Sequence, residues 1–318
     1  MMRHPLKSCG QVATLDTRLR LALLRFCYML TLAALVFAVK PVRAHADLGP
    51  SRMPQLRLAS AGWGSTTVDE LRLVLDAVAR SVGKHFPDRE PPSVQVVPGE
   101  GNPLALYDRG EDGAYIIQLS ARHSRWHQFV YQFSHELCHV YSNFDRKTHT
   151  VGAVDHRNQW FEESVCEAVA LHTLNALAAE WTERPPSPRF AGYGDTLRAL
   201  SDYLQNEPHR RLGDGTGLAD WFSAHRAALE SDPYQRDMNE VVANRLLRVF
   251  EHAPGGIGAI GFLNLDDDVQ GRSFAAYLTS WRDNCPEQHR ATVSEIMALF
   301  NTAPAPLLAA SAASLAQR

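Results

Sequence analysis

The sequence predicts an α+β protein: a small α/β lobe with a short mixed sheet and a histidine-bearing helix at residues 66–145, then a mainly helical lobe at 146–300. Two observations carry this. Strand-like runs bounded by turn residues fall only between residues 93 and 119, whereas from about residue 158 onward the periodic segments all have helical spacing. The length suffices for one large domain or two closely packed lobes, and a cleft between lobes is a usual place for a substrate.

Residues 1–44 read as a secretory signal peptide. Arg3, Lys7, Arg18, Arg20 and Arg25 stand against Asp16, an uncharged apolar stretch runs from Phe26 to Val39, and Val42-Arg43-Ala44 offers small residues where a signal peptidase reads, with Ala44-His45-Ala46 as a second choice. Extension of the apolar stretch back through Leu21 to Leu24 would instead make an uncleaved membrane anchor. The expected location is secreted or periplasmic. Processing at Ala44 removes seven basic side chains and one Asp from a chain of formal charge −3, which leaves −9. A mildly acidic chain without a basic run is a poor candidate for nucleic acid or for stable association with an anionic membrane.

The elements follow in order. Residues 45–65, rich in Pro, Gly, Ser and Ala, read as a flexible lead-in. Thr67-x-x-Glu70 is a capping box, and Leu71, Leu75, Val78 and Val82 form the stripe of a helix that stops near Gly83. Ser93 to Val97, Leu104 to Tyr107 and Ala114 to Leu119 read as strands, the last following the turn signal Glu111-Asp112-Gly113. Trp126, Phe129, Val130, Phe133, Leu137, Val140 and Tyr141 then recur at helical spacing. Further helices are expected at Asn158–Leu177, Asp195–Leu204, Leu218–Leu229, Met238–Glu251, Arg272–Arg282 and Ala291–Phe300, separated by Gly and Pro clusters at 185–194, 213–217 and 254–261. Residues 301–318 read as a disordered tail.

His135-Glu136-Leu137-Cys138-His139 carries the chemistry. Residues four apart stack on one helical face, so His135 and His139 reach one metal ion while Glu136 stands beside the open coordination position. The surrounding stripe would bury these polar groups, and a metal supplies the partner they need. This spacing points to one Zn²⁺ ion, which in catalytic sites takes three protein ligands and leaves the fourth position to water.

Three candidates compete for the third ligand. Glu163 begins a helical stripe continued by Glu167, Ala170, Leu174 and Leu177, so two carboxylates extend an apolar face and require a cation or donor. Asp145 lies six residues after His139, where some hydrolases place a ligand beyond a sharp turn; such a turn favours Gly where Ser142 stands. His149 and His156 occupy the polar loop between the two helices.

His135-Glu136-x-x-His139, followed after 23 residues by Glu163 within Trp160-x-x-Glu163, resembles the gluzincin group of zinc metallopeptidases, the thermolysin-like and aminopeptidase N-like enzymes. The spacing is longer than in either branch and Glu162 stands where Asn is common, so the resemblance extends to the group and to no subfamily. It implies a zincin-like fold, His135, His139 and Glu163 as zinc ligands, Glu136 as catalytic general base, and Glu167 locking a zinc histidine, His135 in first place. It also implies that the strand Ala114 to Leu119 is the edge strand that receives an extended peptide. A Tyr or His of the helical lobe would face the oxyanion; Tyr193, His209, His225 and Tyr234 are available, and Tyr234 is the choice.

The expected partner is therefore a peptide or protein substrate. The rival expectations are an inactive zinc-stabilised scaffold and a zinc hydrolase of non-peptide amides or esters. Glu136 argues against the scaffold, because a structural site closes its coordination with a fourth ligand and has no use for a base. Cys138 and Cys166 fall on the two metal-bearing segments, where an oxidising compartment would join them as a disulfide; otherwise they are small buried hydrophobes.

Overall fold

Four short alternating segments build the sheet, and their order decides which strand borders the site. The computed structural model describes residues 53–302 apart from residues 111, 150–155 and 268–270; the expected leader and nearly all of the expected tail lie outside them. Strands β1 (Gln55–Leu58), β2 (Ser93–Pro98), β3 (Leu104–Arg109) and β4 (Tyr115–Leu119) form one sheet in the order β1-β2-β4-β3. The β1/β2 and β2/β4 pairs are parallel and β3/β4 is antiparallel. The fold is thus α+β with a small mixed sheet.

Two expectations are corrected here. The lead-in 45–65 contains β1: Gln55-Leu56-Arg57-Leu58 alternates polar and apolar residues, and its backbone pairs with β2. Just beyond it, Trp63 is buried and donates its indole N–H to the Ala59 carbonyl at 2.8 Å. The strand beginning near Ala114 is not an edge. A turn with Gly113 at φ +76° folds β3 back antiparallel onto β4, so β4 is paired on both sides and β3 becomes the edge.

Helix α1 (Val68–Gly83) starts at the expected capping box: the Glu70 N–H donates to the Thr67 hydroxyl and the Thr67 N–H donates to the Glu70 carboxylate. Its Leu71, Val74, Leu75, Val78 and Val82 are buried, and the helix packs chiefly against helix α2 (Trp126–Tyr141). Helix α3 (Gln159–Glu183) runs past the expected end at Leu177, because Trp181 is buried and adds a further turn before Pro185. It is apolar on nearly every side, as befits a helix packed against α1, α2 and the later helices.

The remaining helices are α4 (Tyr193–Asn206), α5 (Leu218–Ser231), α6 (Arg236–His252), α7 (Phe274–Asn284) and α8 (Glu287–Leu299). The Gly-rich separator before α7 is a buried 3₁₀ segment, Pro254–Phe262. Glycine is needed there because a Cβ on Gly258 would lie 2.7 Å from the His85 carbonyl. One apolar core runs from Trp63 to Phe300, through both segments read as lobes. No helix among the described residues is long and apolar enough to cross a membrane.

Candidate metal centre

The helical spacing of α2 and the crossing of α3 bring three ligand atoms together. His135 Nε2 lies 3.2 Å from His139 Nε2, and Glu163 Oε2 lies 3.4 Å from each of them. In a tetrahedral zinc site with ligand atoms at about 2.0–2.2 Å, neighbouring ligand atoms stand about 3.3–3.6 Å apart, so this triangle fits one face of such a site. His135, His139 and Glu163 form one of two groups of His, Cys, Asp or Glu side chains close enough to hold an ion among the described residues. In the other, Glu207 and Glu240 are already met by Arg210, and Glu240 also by Arg236 and His209, so the charge of the two carboxylates is countered without a metal.

Each histidine has a carboxylate behind it. Glu162, fully buried, accepts from His139 Nδ1 at 2.7 Å and from Asn264 Nδ2 at 2.7 Å. That bond fixes the ring with Nδ1 protonated and Nε2 free for a metal. Glu167 lies 3.6 Å from His135 Nδ1, close enough to orient it electrostatically but beyond a good hydrogen bond. It also accepts from the Tyr131 hydroxyl at 2.6 Å and from Arg210 Nη1 at 2.8 Å.

Glu136 is buried and accepts from the backbone N–H of Ala105, on edge strand β3, at 2.8 Å. The triad and Glu136 line a cleft of about 290 Å³, with Leu104, Ala105 and Tyr107 of β3 on one side and Tyr234, Arg236 and Glu240, on and before α6, on another. Leu104, Tyr107 and Tyr234 belong to the few large apolar side chains left exposed. A concave apolar cleft with a few convergent polar groups is the usual form of a small-ligand or peptide site.

The charges of the cluster are set jointly. Burial opposes a charge on either ring, yet the nearby carboxylates of Glu163 and Glu167, with the field of Glu136, raise His135 to about 10. Glu163 and Glu162 overcome burial in the same way and hold His139 well above its ordinary value. Burial also opposes ionisation of Glu163, but the two histidines hold its pKa well below the carboxylate range. The cluster therefore demands positive charge between the rings, which protons or a divalent cation supply. For Glu136 burial prevails over the field of the two histidines, with Glu163 adding to it, and its pKa is raised.

The other sequence candidates fall elsewhere. Asp145 pairs with Arg109 and is not part of the group at the histidines, the positive φ beyond α2 being taken by Asn143 and not by Ser142. His156 is exposed outside the cluster, and the side chain of His149 lies outside the described residues. Tyr193 meets His127, His209 meets Glu240 and His225 stacks on Trp221, whereas Tyr234 lines the cleft with its hydroxyl accepting from Gln159. Of the two alternatives for Cys138 and Cys166, the structure has the small buried hydrophobes: free thiols in contact across α2 and α3, where burial, then the neighbouring Cys138, raises the Cys166 thiol well above its ordinary value.

The residues that sequence reasoning missed are Glu162, Tyr131, Arg210 and Asn264. Glu162 had a signal, a third carboxylate in the apolar run Trp160-Phe161-Glu162-Glu163, and Tyr131 sits one turn before His135 on the same face. Arg210 and Asn264 had none. No protein-family model and no curated protein matches this chain.

Proposed function

We propose that the protein is a zinc-dependent peptide-bond hydrolase of the gluzincin type with a zincin-like fold, acting in the secreted or periplasmic compartment that its leader-like N-terminus implies. The observation that carries the reading is the triangle of His135, His139 and Glu163, of tetrahedral zinc dimensions, with a non-ligand carboxylate beside it. Bound there, zinc supplies Lewis acidity that polarises a scissile carbonyl and makes water a stronger acid. Glu136 takes the proton from the attacking water and returns it to the leaving amine, held in place by the Ala105 N–H. Glu162 and Glu167 keep the two rings turned so that their Nε2 atoms converge.

Substrate binding follows from the edge strand. In an antiparallel ladder a residue's N–H and C=O leave the strand on the same side. The Ala105 N–H points to Glu136, so its carbonyl also faces the cleft side of β3, where an extended peptide gains main-chain bonds with little sequence preference. Tyr234, exposed on the opposite part of the lining, is the proposed donor to the oxyanion.

The test is zinc content and cleavage of a quenched peptide library by the wild type and Glu136→Gln. One zinc per chain in both, cleavage by the wild type, and a rate loss of about 10²–10⁴-fold in the variant are expected. A wild type fully loaded with zinc that cleaves no library member contradicts the proposal.

A further inference from the structure

The cleft of the proposed peptidase also carries an uneven distribution of charge. Five carboxylates line it, and each is committed. Glu136 accepts from Ala105, Glu162 from His139 and Asn264, and Glu163 faces both metal histidines. Glu167 accepts from Tyr131 and Arg210, while Glu240 is shared by His209, Arg210 and Arg236. A substrate α-ammonium thus finds no uncommitted acid there.

Arg236 is the only Lys or Arg among the described residues that line the cleft. It is the first residue of α6, and its side chain remains 64% exposed. Its Nε donates to Glu240 at 2.8 Å and its Nη2 to the Tyr131 hydroxyl at 3.0 Å. Of the five N–H donors of a guanidinium, those two are used; both on Nη1 and one on Nη2 remain, and one N–H from each of these nitrogens makes the fork that a carboxylate meets in bidentate fashion. The fork is also held close to the metal centre, because Tyr131 donates in turn to Glu167, which lies 3.6 Å from His135. An extended peptide covers that path in about three residues.

We infer that Arg236 is a specificity-determining residue that binds a substrate carboxylate, so that favoured substrates carry an acidic side chain or a free C-terminus within about three residues of the scissile bond. The position of that bond rests on the peptidase reading; the binding of the carboxylate does not. Two matched peptide pairs separate the sources: one differing by an internal Glu or Gln, the other by a free or amidated C-terminus. Affinity is read by fluorescence anisotropy on zinc-loaded Glu136→Gln protein, and kcat/KM on the wild type.

In at least one pair the carboxylate member is expected to bind about tenfold tighter. Adding Arg236→Gln should bring that ratio to about one, and Arg236→Lys, which keeps the charge but loses the fork, should fall between. Equal affinity within both pairs, or a ratio that survives Arg236→Gln, overturns the inference. If the wild type cleaves no peptide while the Glu136→Gln protein still selects the carboxylate, the Arg236 site stands and the peptidase reading falls.

Discussion

Behind His139 stands Glu162, held by the neutral amide of Asn264, and behind His135 stands Glu167, held by the Tyr131 hydroxyl and the guanidinium of Arg210. Both carboxylates are almost wholly buried, so both require compensation. Asn264 supplies hydrogen bonds but no charge; it is itself fixed by the Tyr277 hydroxyl and donates to the Ser142 carbonyl. The negative charge of Glu162 faces the cation held at the histidines. Glu167 keeps a permanent counter-charge whatever the histidines bind, and Arg210 in turn ties it to Glu207 and Glu240. One support is coupled to the charge at the histidines, and the other is part of the scaffold.

Arg210→Met breaks the scaffold side, and the largest effect is expected there. Removing the fully buried guanidinium leaves Glu167, Glu207 and Glu240 without their shared cation, a loss of about 3–5 kcal/mol in a denaturant unfolding curve. The change should also show in acid. Burial raises the Glu167 pKa, but His135, Arg210 and Tyr131 outweigh it and hold it to about 2, against an unfolded value of 4.5. A depressed carboxylate stabilises the fold above its unfolded pKa and loses that contribution as pH falls from 4.5 toward 2. Without Arg210 the native pKa rises and the contribution shrinks, so acid unfolding should begin at a higher pH. An unchanged unfolding curve and acid midpoint in Arg210→Met would show that this network holds nothing.

A smaller effect should separate the metal side. Glu162→Gln replaces the charged acceptor of the 2.7 Å bond to His139 by a neutral one and is expected to weaken zinc binding about 10–100-fold, the range for supporting carboxylates. Glu167→Gln, acting across 3.6 Å, should stay near the lower end of that range. Competition against a zinc chelator measures both. The reverse ranking would mean that His135, not His139, depends more on its carboxylate, and the comparison would have to be inverted.

Legibility in the sequence followed chain separation. His135, His139, Glu163 and Glu167 lie on two helices close in sequence, and helical spacing alone aligns them. Asn264 meets Glu162 from 102 residues away and Arg210 meets Glu167 from 43 away, through packing that no local period records. The strands were legible as strands, since alternation is local. Their order is not local, and alternation alone does not tell that β3, and not β4, is the edge. β1 is hidden in the sequence because its four alternating residues sit within a stretch whose composition is that of a loop.

Zinc-edge anomalous diffraction from crystals grown with one equivalent of zinc tests the central claim most directly. The account predicts one peak about 2.0–2.2 Å from His135 Nε2, His139 Nε2 and a Glu163 oxygen, with Glu136 near the ion but not bound to it. A peak at Glu207, His209 and Glu240, or a fourth side chain closing the coordination at the histidines, would contradict it.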